Sequence, residues 1–141
     1  MIKDPPLLTF RIAEPQQVAL RLVRRALAQQ GLRVPAELDI AARIKQALGA
    51  GVAPCAVLYV DDPVVLLQAV VFHRGAAVLI PQPVVVTGDN RNSEVLVRSA
   101  ESLAGEIPES VRDPLRDLQT RIARAMETIA ERQEAHLAAS F

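Results

Sequence analysis

The run from Ala53 to Thr87, APCAVLYVDDPVVLLQAVVFHRGAAVLIPQPVVVT, holds the densest apolar order in the chain. It begins with Cys55 to Val60, a strand-like segment that is apolar at nearly every position. Asp62-Pro63 then marks a helix start, because aspartate caps the first N–H groups and proline suits the first helical position. An apolar helix follows, to about Arg74. We predict that this run forms the core, with a strand covered on both faces and a helix buried on several sides.

The second half of this run predicts further strands and a hairpin. Ala76 to Ile80 has strand composition, and Pro81-Gln82-Pro83 interrupts it. Val84 to Thr87 resumes the strand composition. Gly88 to Asn92 is rich in turn residues, and Glu94 to Arg98 alternates as a returning strand. We therefore expect an antiparallel hairpin after residue 83.

The flanking segments complete an α+β pattern. Proline, aspartate and glycine bound most of them, and these residues start helices, end them or break strands. The predicted strands are Leu7–Ile12 and Leu32–Leu38, and the predicted helices run from Glu14 to Gly31, from Asp39 to Gly49 and from Ser110 or Asp113 to near Ala138. Pro35 should put the second strand at a sheet edge or a bulge.

The order β-α-β-α-β-α-β-β-β-α predicts one mostly antiparallel sheet with helices packed on it, an α+β fold. We expect a single domain over residues 1–141. Its core covers about 7–98, a polar connector covers 99–109, and a long C-terminal helix covers about 110–138.

The C-terminal helix carries one apolar stripe. Its members recur at spacings of four and three residues: Val111, Leu115, Leu118, Ile122, Ala125 and Ile129. The stripe is about 2.5 heptads long, short of the three to four that indicate a coiled coil. It predicts a helix packed across its own sheet; the alternative is that Leu115, Leu118, Ile122 and Ile129 join a second subunit.

The amino-acid composition excludes several classes of function. Lys plus Arg equals Asp plus Glu at 16 each, so no global charge draws the chain to nucleic acid or anionic lipid. Aromatic residues make up only 3%, too few for base-stacking platforms. A single cysteine excludes an internal disulfide and a cysteine-based zinc site. No signal-peptide pattern occurs, and no charge-free run approaches roughly 20 residues. We predict a cytoplasmic protein that binds neither nucleic acid nor membrane.

The candidate ligand-binding residues are Asp61, Asp62, Gln82 and Tyr59. The two aspartates end a buried strand, where an acid could accept hydrogen bonds from a ligand or hold a cation. Adjacent carboxylates also raise each other's pKa, which suits acid–base work; the alternative is a loop charge beside an N-cap. Gln82, fixed between two prolines, is either a recognition group or an edge bulge that blunts strand pairing.

Other reactive residues lack partners at useful spacing. Cys55 is expected to be a packed thiol, and His73 lies at a helix end, where a cation is favourable. His136 is far from it in sequence. The chain has no nucleophile elbow, P-loop or glycine-rich dinucleotide motif. We predict no catalytic residue set, no metal site and no cofactor.

Four pieces of the chain occur in a characteristic order. They are the turn Glu37–Ile40 with the helix end Ile44–Gly49, the strand and cap Ala56–Pro63, the run Leu79–Val86, and the turn and strand after it. In this order, residues 31–97 resemble the domain-of-unknown-function family 302, small bacterial and archaeal proteins. With the first helix, the resemblance covers about two thirds of the chain, and the long C-terminal helix lies beyond the usual domain.

The resemblance implies a TATA-binding-protein-like α+β class, with a curved antiparallel sheet and helices on one face. It is compatible with dimers and implies no reaction. The family typically has Cys-Asn-Pro where this chain has Asp61-Asp62-Pro63, and Pro-Cys-Asn where it has Pro81-Gln82-Pro83. Both characteristic cysteines are replaced, so a thiol or redox role does not carry over.

These observations favour a small-ligand-binding or protein-interaction module that forms a homodimer. They favour a protein without enzymatic activity over an enzyme. One alternative is a hydrolase or isomerase that uses Asp61 with Gln82. Another is a structural protein that assembles through its C-terminal helix.

Overall fold

The computed structural model describes residues 7–99 and 108–139, the last nine of them through their backbone alone. Within these ranges the chain forms five strands, four α-helices and one 3₁₀ turn. The strands are β1 (Leu7–Ile12), β2 (Arg33–Asp39), β3 (Cys55–Asp61), β4 (Gln82–Gly88) and β5 (Ser93–Arg98). The helices are α1 (Gln16–Gln29), α2 (Ile40–Leu48), α3 (Pro63–Phe72) and α4 (Glu109–Ala139), and the 3₁₀ turn is Arg74–Val78.

All five strands join one antiparallel sheet in the order β1-β5-β4-β3-β2. The predicted hairpin is the β4–β5 pair, in which Val84 lies opposite Val97. The predicted α+β class, with a long C-terminal helix, is confirmed. The pairing of β2 shifts register between Arg33 and Ala36, so Pro35 lies at an irregularity in an edge strand, as predicted.

The core lies on one face of the sheet. Along β3 the residues Ala56, Leu58 and Val60 are buried, whereas the residues between them are only half-buried. Helices α1 and α4 pack against each other, and between them they contact β1, β4 and β5. The prediction that β3 is covered on both faces is therefore wrong. A uniformly apolar strand does not reveal whether its second face is covered within the same subunit.

The predicted strand over Ala76 to Ile80 is also wrong. This segment forms the 3₁₀ turn and its exit, and Ala76 and Ile80 are buried while Val78 is 86% exposed. In a strand, Ala76, Val78 and Ile80 would all face the same side, because alternate residues of a strand do. Burial of the first and third with exposure of the second is typical of a helical turn. Gln82 is likewise no edge bulge, since β4 pairs on both sides and Gln82 lies opposite Val60.

The capping residues in the sequence predicted most of the helix ends correctly. The Asp39 carboxylate accepts a hydrogen bond from the Ala42 N–H, and Gly49 ends α2 in a left-handed conformation. Gly31, after α1, has a φ of +74°, and a side chain there would meet the Arg121 guanidinium. Glycine therefore suits this position twice, through its backbone freedom and its lack of a side chain.

Helix α4 begins earlier than predicted. It starts at Glu109, so Pro114 lies inside the helix and Asp113-Pro114 is not its cap. The predicted stripe packs inward, and its six residues are buried in the core: Val111, Leu115, Leu118, Ile122, Ala125 and Ile129. The four residues considered for a subunit interface, Leu115, Leu118, Ile122 and Ile129, thus contribute to the protomer's own core. No helix in the described ranges is long and apolar enough to cross a membrane.

Candidate interaction surface on helix α3

Helix α3 leaves most of its apolar surface uncovered. Four large side chains lie 61–69% exposed: Val64, Leu67, Val71 and Phe72. We call these four residues the α3 patch. Soluble proteins seldom expose contiguous apolar surface of this kind unless it has a role in binding.

The sequence of α3 explains why the patch exists. Gln68 is the only polar residue in the helix, so apolar side chains point in every direction. Only Val65 and Ala69, one turn apart, are buried, and the helix packs on α4 and on the 3₁₀ turn. The prediction of a helix buried on several sides is therefore wrong. One side is enough to hold the helix in place, and the opposite side remains exposed.

A groove of about 710 Å³ runs between α3 and the first turns of α4. Its apolar lining comes from Val64, Val65, Phe72 and Pro114. Its polar lining comes from Asp62, Gln68, Ser110, Asp113, Asp117 and Arg121. The α3 patch is thus bordered by an acidic rim on α4, and two patch residues belong to both features.

Asp62 connects this groove to the rest of the fold. Its Oδ1 accepts a hydrogen bond of 2.8 Å from the Val64 N–H, which caps α3 as predicted. Its Oδ2 pairs with Arg121, whose Nη2 donates to the Gln30 carbonyl oxygen at 2.7 Å. The Arg121 hydrogen bond lowers the pKa of Asp62, with smaller help from the capping N–H and against the effect of burial. One guanidinium therefore joins α1, α3 and α4.

Asp61 points to the other side of the sheet. Val60 faces the core, and successive strand residues face opposite sides, so Asp61 shares the helix-free face with Tyr59. Asp61 is 8% exposed, and burial, followed by the charge of Asp62, raises its pKa, while Arg33 opposite it acts against the shift. Of the predicted ligand set, only Asp61 and Tyr59 lie on the same face.

Gln82 is buried on the core face. Its side-chain amide donates to the Leu79 carbonyl oxygen, and its Oε1 accepts a 2.6 Å hydrogen bond from Gln119 on α4. Gln82 and Asp61 therefore lie on opposite faces of the sheet and cannot act on one substrate atom together. Tyr59 and Asp61 line neither the groove between α3 and α4 nor the clefts near the hairpin turn and between α1 and α2.

In each of two other clefts, some of the polar lining groups are already paired within the fold. In a cleft of about 750 Å³ near the hairpin turn, Thr87 donates to Pro54 and Ser93 donates to Glu14. A cleft of about 720 Å³ between α1 and α2 includes Cys55, together with Glu37, which pairs with Arg24. Within the described residues, no group of three or more histidine, cysteine, aspartate or glutamate residues could hold a metal ion.

The sheet, the helices on one face of it and the open surface of α3 define a small α+β domain. The family model described as Domain of unknown function DUF302 matches residues 8–129, and the chain belongs to this family. The match includes most of α4, which the resemblance had placed beyond the family core. No curated protein matches the chain significantly.

Comparison with solved structures gives the same fold. The crystal structure of an uncharacterized conserved protein DUF302 from Bacillus stearothermophilus superposes with a TM-score of 0.77. The match covers 86% of this chain and 95% of that one, at 13% sequence identity. At this identity the likeness shows a shared fold, and residue roles do not transfer. The family is described as one of unknown function.

Sequence reasoning missed the α3 patch although the signal was present. A helix with one polar residue in ten has apolar side chains all round. In a sheet with helices on one face only, a helix packed at the margin cannot bury all of them. The sequence did not show that α3 packs at the margin of the helical layer, against α4 and the 3₁₀ turn.

Proposed function

We propose that this domain is a protein-interaction module whose contact surface is the α3 patch. The observation that carries the proposal is the 61–69% exposure of four large apolar side chains on one helix. Covering them with a partner removes apolar surface from water, which stabilises a complex by roughly 25 cal/mol per Å² before the costs of association.

The acidic rim favours a protein partner over a membrane surface. Helices that lie on membranes carry Lys or Arg beside their apolar face and are drawn to anionic lipid. Helix α3 contains neither residue, and its groove is lined by Asp62, Asp113 and Asp117 with Arg121 as the counter-charge. A negative rim repels anionic headgroups.

The proposal rests on α3 and not on the ligand set predicted from the sequence. Gln82 and Asp62 are engaged in hydrogen bonds that hold the fold together. A cytoplasmic and bacterial setting is part of the proposal. The single cysteine and the Bacillus relative support it.

The test is photo-crosslinking at two matched positions. Leu67 in α3 is 64% exposed and Leu48 at the end of α2 is 78% exposed, so both can carry a photoreactive phenylalanine analogue without disturbing the core. In the cells that express the protein, we expect protein adducts from position 67 and none from position 48. Equal adduct yields at both positions, or none at position 67, would contradict the proposal.

A further inference from the structure

We propose that the partner of the α3 patch is an amphipathic helix with basic residues along one edge of its apolar face, lying in the groove between α3 and α4. This inference rests on the proposed function and names the chemistry of its partner. Three patch residues, Val64, Leu67 and Val71, are spaced at i, i+3 and i+7, so they form one stripe along α3. The fourth, Phe72, lines the groove beside that stripe.

Both walls of the groove are helices, and this selects a helical partner. Asp62, at the start of α3, pairs with Arg121, and the α4 lining runs back from there to Ser110 while α3 runs on to Phe72. The two helices are therefore antiparallel along the groove. The middle of each wall offers no free backbone N–H or C=O group to an extended strand, because a helix satisfies these groups internally. A helical partner satisfies its own backbone and needs only side-chain contacts.

The size of the patch fits a single short helix. Helix α3 has 10 residues, so it is about 15 Å long, and a partner helix of about ten residues would cover it. Each patch side chain offers on the order of 100 Å² of apolar surface, so the four supply about half of the roughly 800 Å² that one partner buries in a standard interface. An area of this size suits a helix that binds through a few apolar anchors in a groove.

The charges of the groove select basic residues on that helix. Three lining residues are aspartates and one is an arginine; Asp62 and Arg121 are paired with each other. Asp113 is exposed and has no ion pair within the described part of the chain, and the Asp117 side chain is 58% exposed, 3.7 Å from Arg121. Arg74 and the two exposed arginines that the structure describes on α4 are not among the lining residues. Lysine or arginine on the α4 side of the partner would therefore neutralise Asp113 and Asp117.

Two model peptides and purified protein test this inference. Both are helices of about 14 residues with the same leucine stripe; one carries lysine beside the stripe and the other glutamate at the same positions. Fluorescence anisotropy at low salt measures binding to wild type, to Asp113→Lys/Asp117→Lys, and to the matched control Glu94→Lys/Glu127→Lys, which has the same net charge change outside the groove. We expect wild type and the control to bind the lysine peptide about ten-fold more tightly than the glutamate peptide, and the groove variant to prefer the glutamate peptide.

The apolar stripe is tested with the lysine peptide and two substitutions that leave the charge unchanged. Leu67→Asn should weaken binding about ten-fold, because it removes an apolar contact at the centre of the stripe. Leu48→Asn, at an exposed site on α2, should not change it. Equal affinities of the two variants would show that the peptide binds elsewhere and would overturn the inference.

The other outcomes separate this inference from the proposed function. No binding of either peptide, or the same preference in wild type and Asp113→Lys/Asp117→Lys, would overturn the basic helix, while adducts to another protein at position 67 would still support the proposed function. Adducts at position 67 that join two copies of this chain would identify a second copy as the partner and overturn the basic helix. Binding to phosphatidylglycerol vesicles that Leu67→Asn abolishes would overturn both proposals.

Discussion

Helices α3 and α4 are both rich in apolar residues, yet the fold uses them differently. In α4 the apolar residues follow one stripe, and that stripe is buried from Val111 to Ile129. In α3 they surround the helix, and the fold buries Val65 and Ala69 while leaving the α3 patch in solvent. An apolar stripe on an otherwise polar helix indicates which side of the helix faces the core, whereas an apolar surface all round does not indicate which side is buried.

The largest expected effect comes from the same substitution in the two helices. Leu118→Ala in α4 should lower the free energy of unfolding by about 2–5 kcal/mol, because it leaves a cavity in a fully buried site. Leu67→Ala in α3 should change it by no more than about 0.5 kcal/mol in dilute protein, since that side chain is already in solvent. Urea denaturation measures both.

Both residues are leucines, so the difference in cost reflects the burial of the side chain and not its size. Equal losses in the two variants would mean that α3 and α4 play the same structural role.

A smaller effect is expected where α4 makes a polar contact in the core. Gln119→Leu removes the donor to the buried Gln82 Oε1 and should cost about 1–3 kcal/mol. The double variant Gln82→Leu/Gln119→Leu should cost less than the sum of the two single variants, since neither amide then loses its partner. A double-mutant cycle of unfolding free energies checks the coupling, and strict additivity would count against a direct contact.

The smallest effect concerns the ion pair that joins the two helices. Arg121→Met removes the bonds to Asp62 and to the Gln30 carbonyl and should cost about 1–2 kcal/mol at neutral pH. The pKa of Asp62 is lowered in the folded state, so the ion pair contributes above the ordinary aspartate pKa of about 3.9. That contribution is lost as the pH falls through the lowered value.

The difference between wild type and Arg121→Met should therefore narrow in acid. Arg116→Met, on the exposed side of α4, is the matched control and should change little at any pH. A gap that stays constant from neutral pH to below pH 3 or so would argue against the Asp62 pair as its source.

Local chemistry predicted much of this fold. Asp39 and Asp62 capped helices as expected, the β4–β5 hairpin followed its turn residues, and Pro35 lay at an edge. Each of these depends on a few neighbouring residues, whose preferences a sequence displays directly.

The errors at residues 76–80 and at the start of α4 concerned the type and the first residue of an element. The errors at β3 and α3 concerned which side of the element is covered. Apolar residues at every position of β3 and α3 carry no periodicity, so they cannot tell a buried side from an open one. The separation of Asp61 from Gln82 depended on the register of β3 and β4. Gln82 lies opposite Val60 and therefore shares its face of the sheet, whereas Asp61, the next residue of β3, faces the other side. Such relations arise from long-range pairing, and the caps and turns that local preferences predict do not determine them.

Affinity capture with three baits tests the central claim that the α3 patch binds a partner protein. The baits are wild type, Leu67→Asp in the patch, and Leu48→Asp at a control site whose side chain is 78% exposed against 64% for Leu67. We predict that wild type and Leu48→Asp retain the same protein from a lysate of the cells that express the chain, and that Leu67→Asp stays folded and loses it, because a carboxylate at the centre of an apolar interface cannot be solvated there. Retention of that protein by Leu67→Asp as strongly as by wild type, or no protein retained by wild type above the level of blank resin, would contradict the claim.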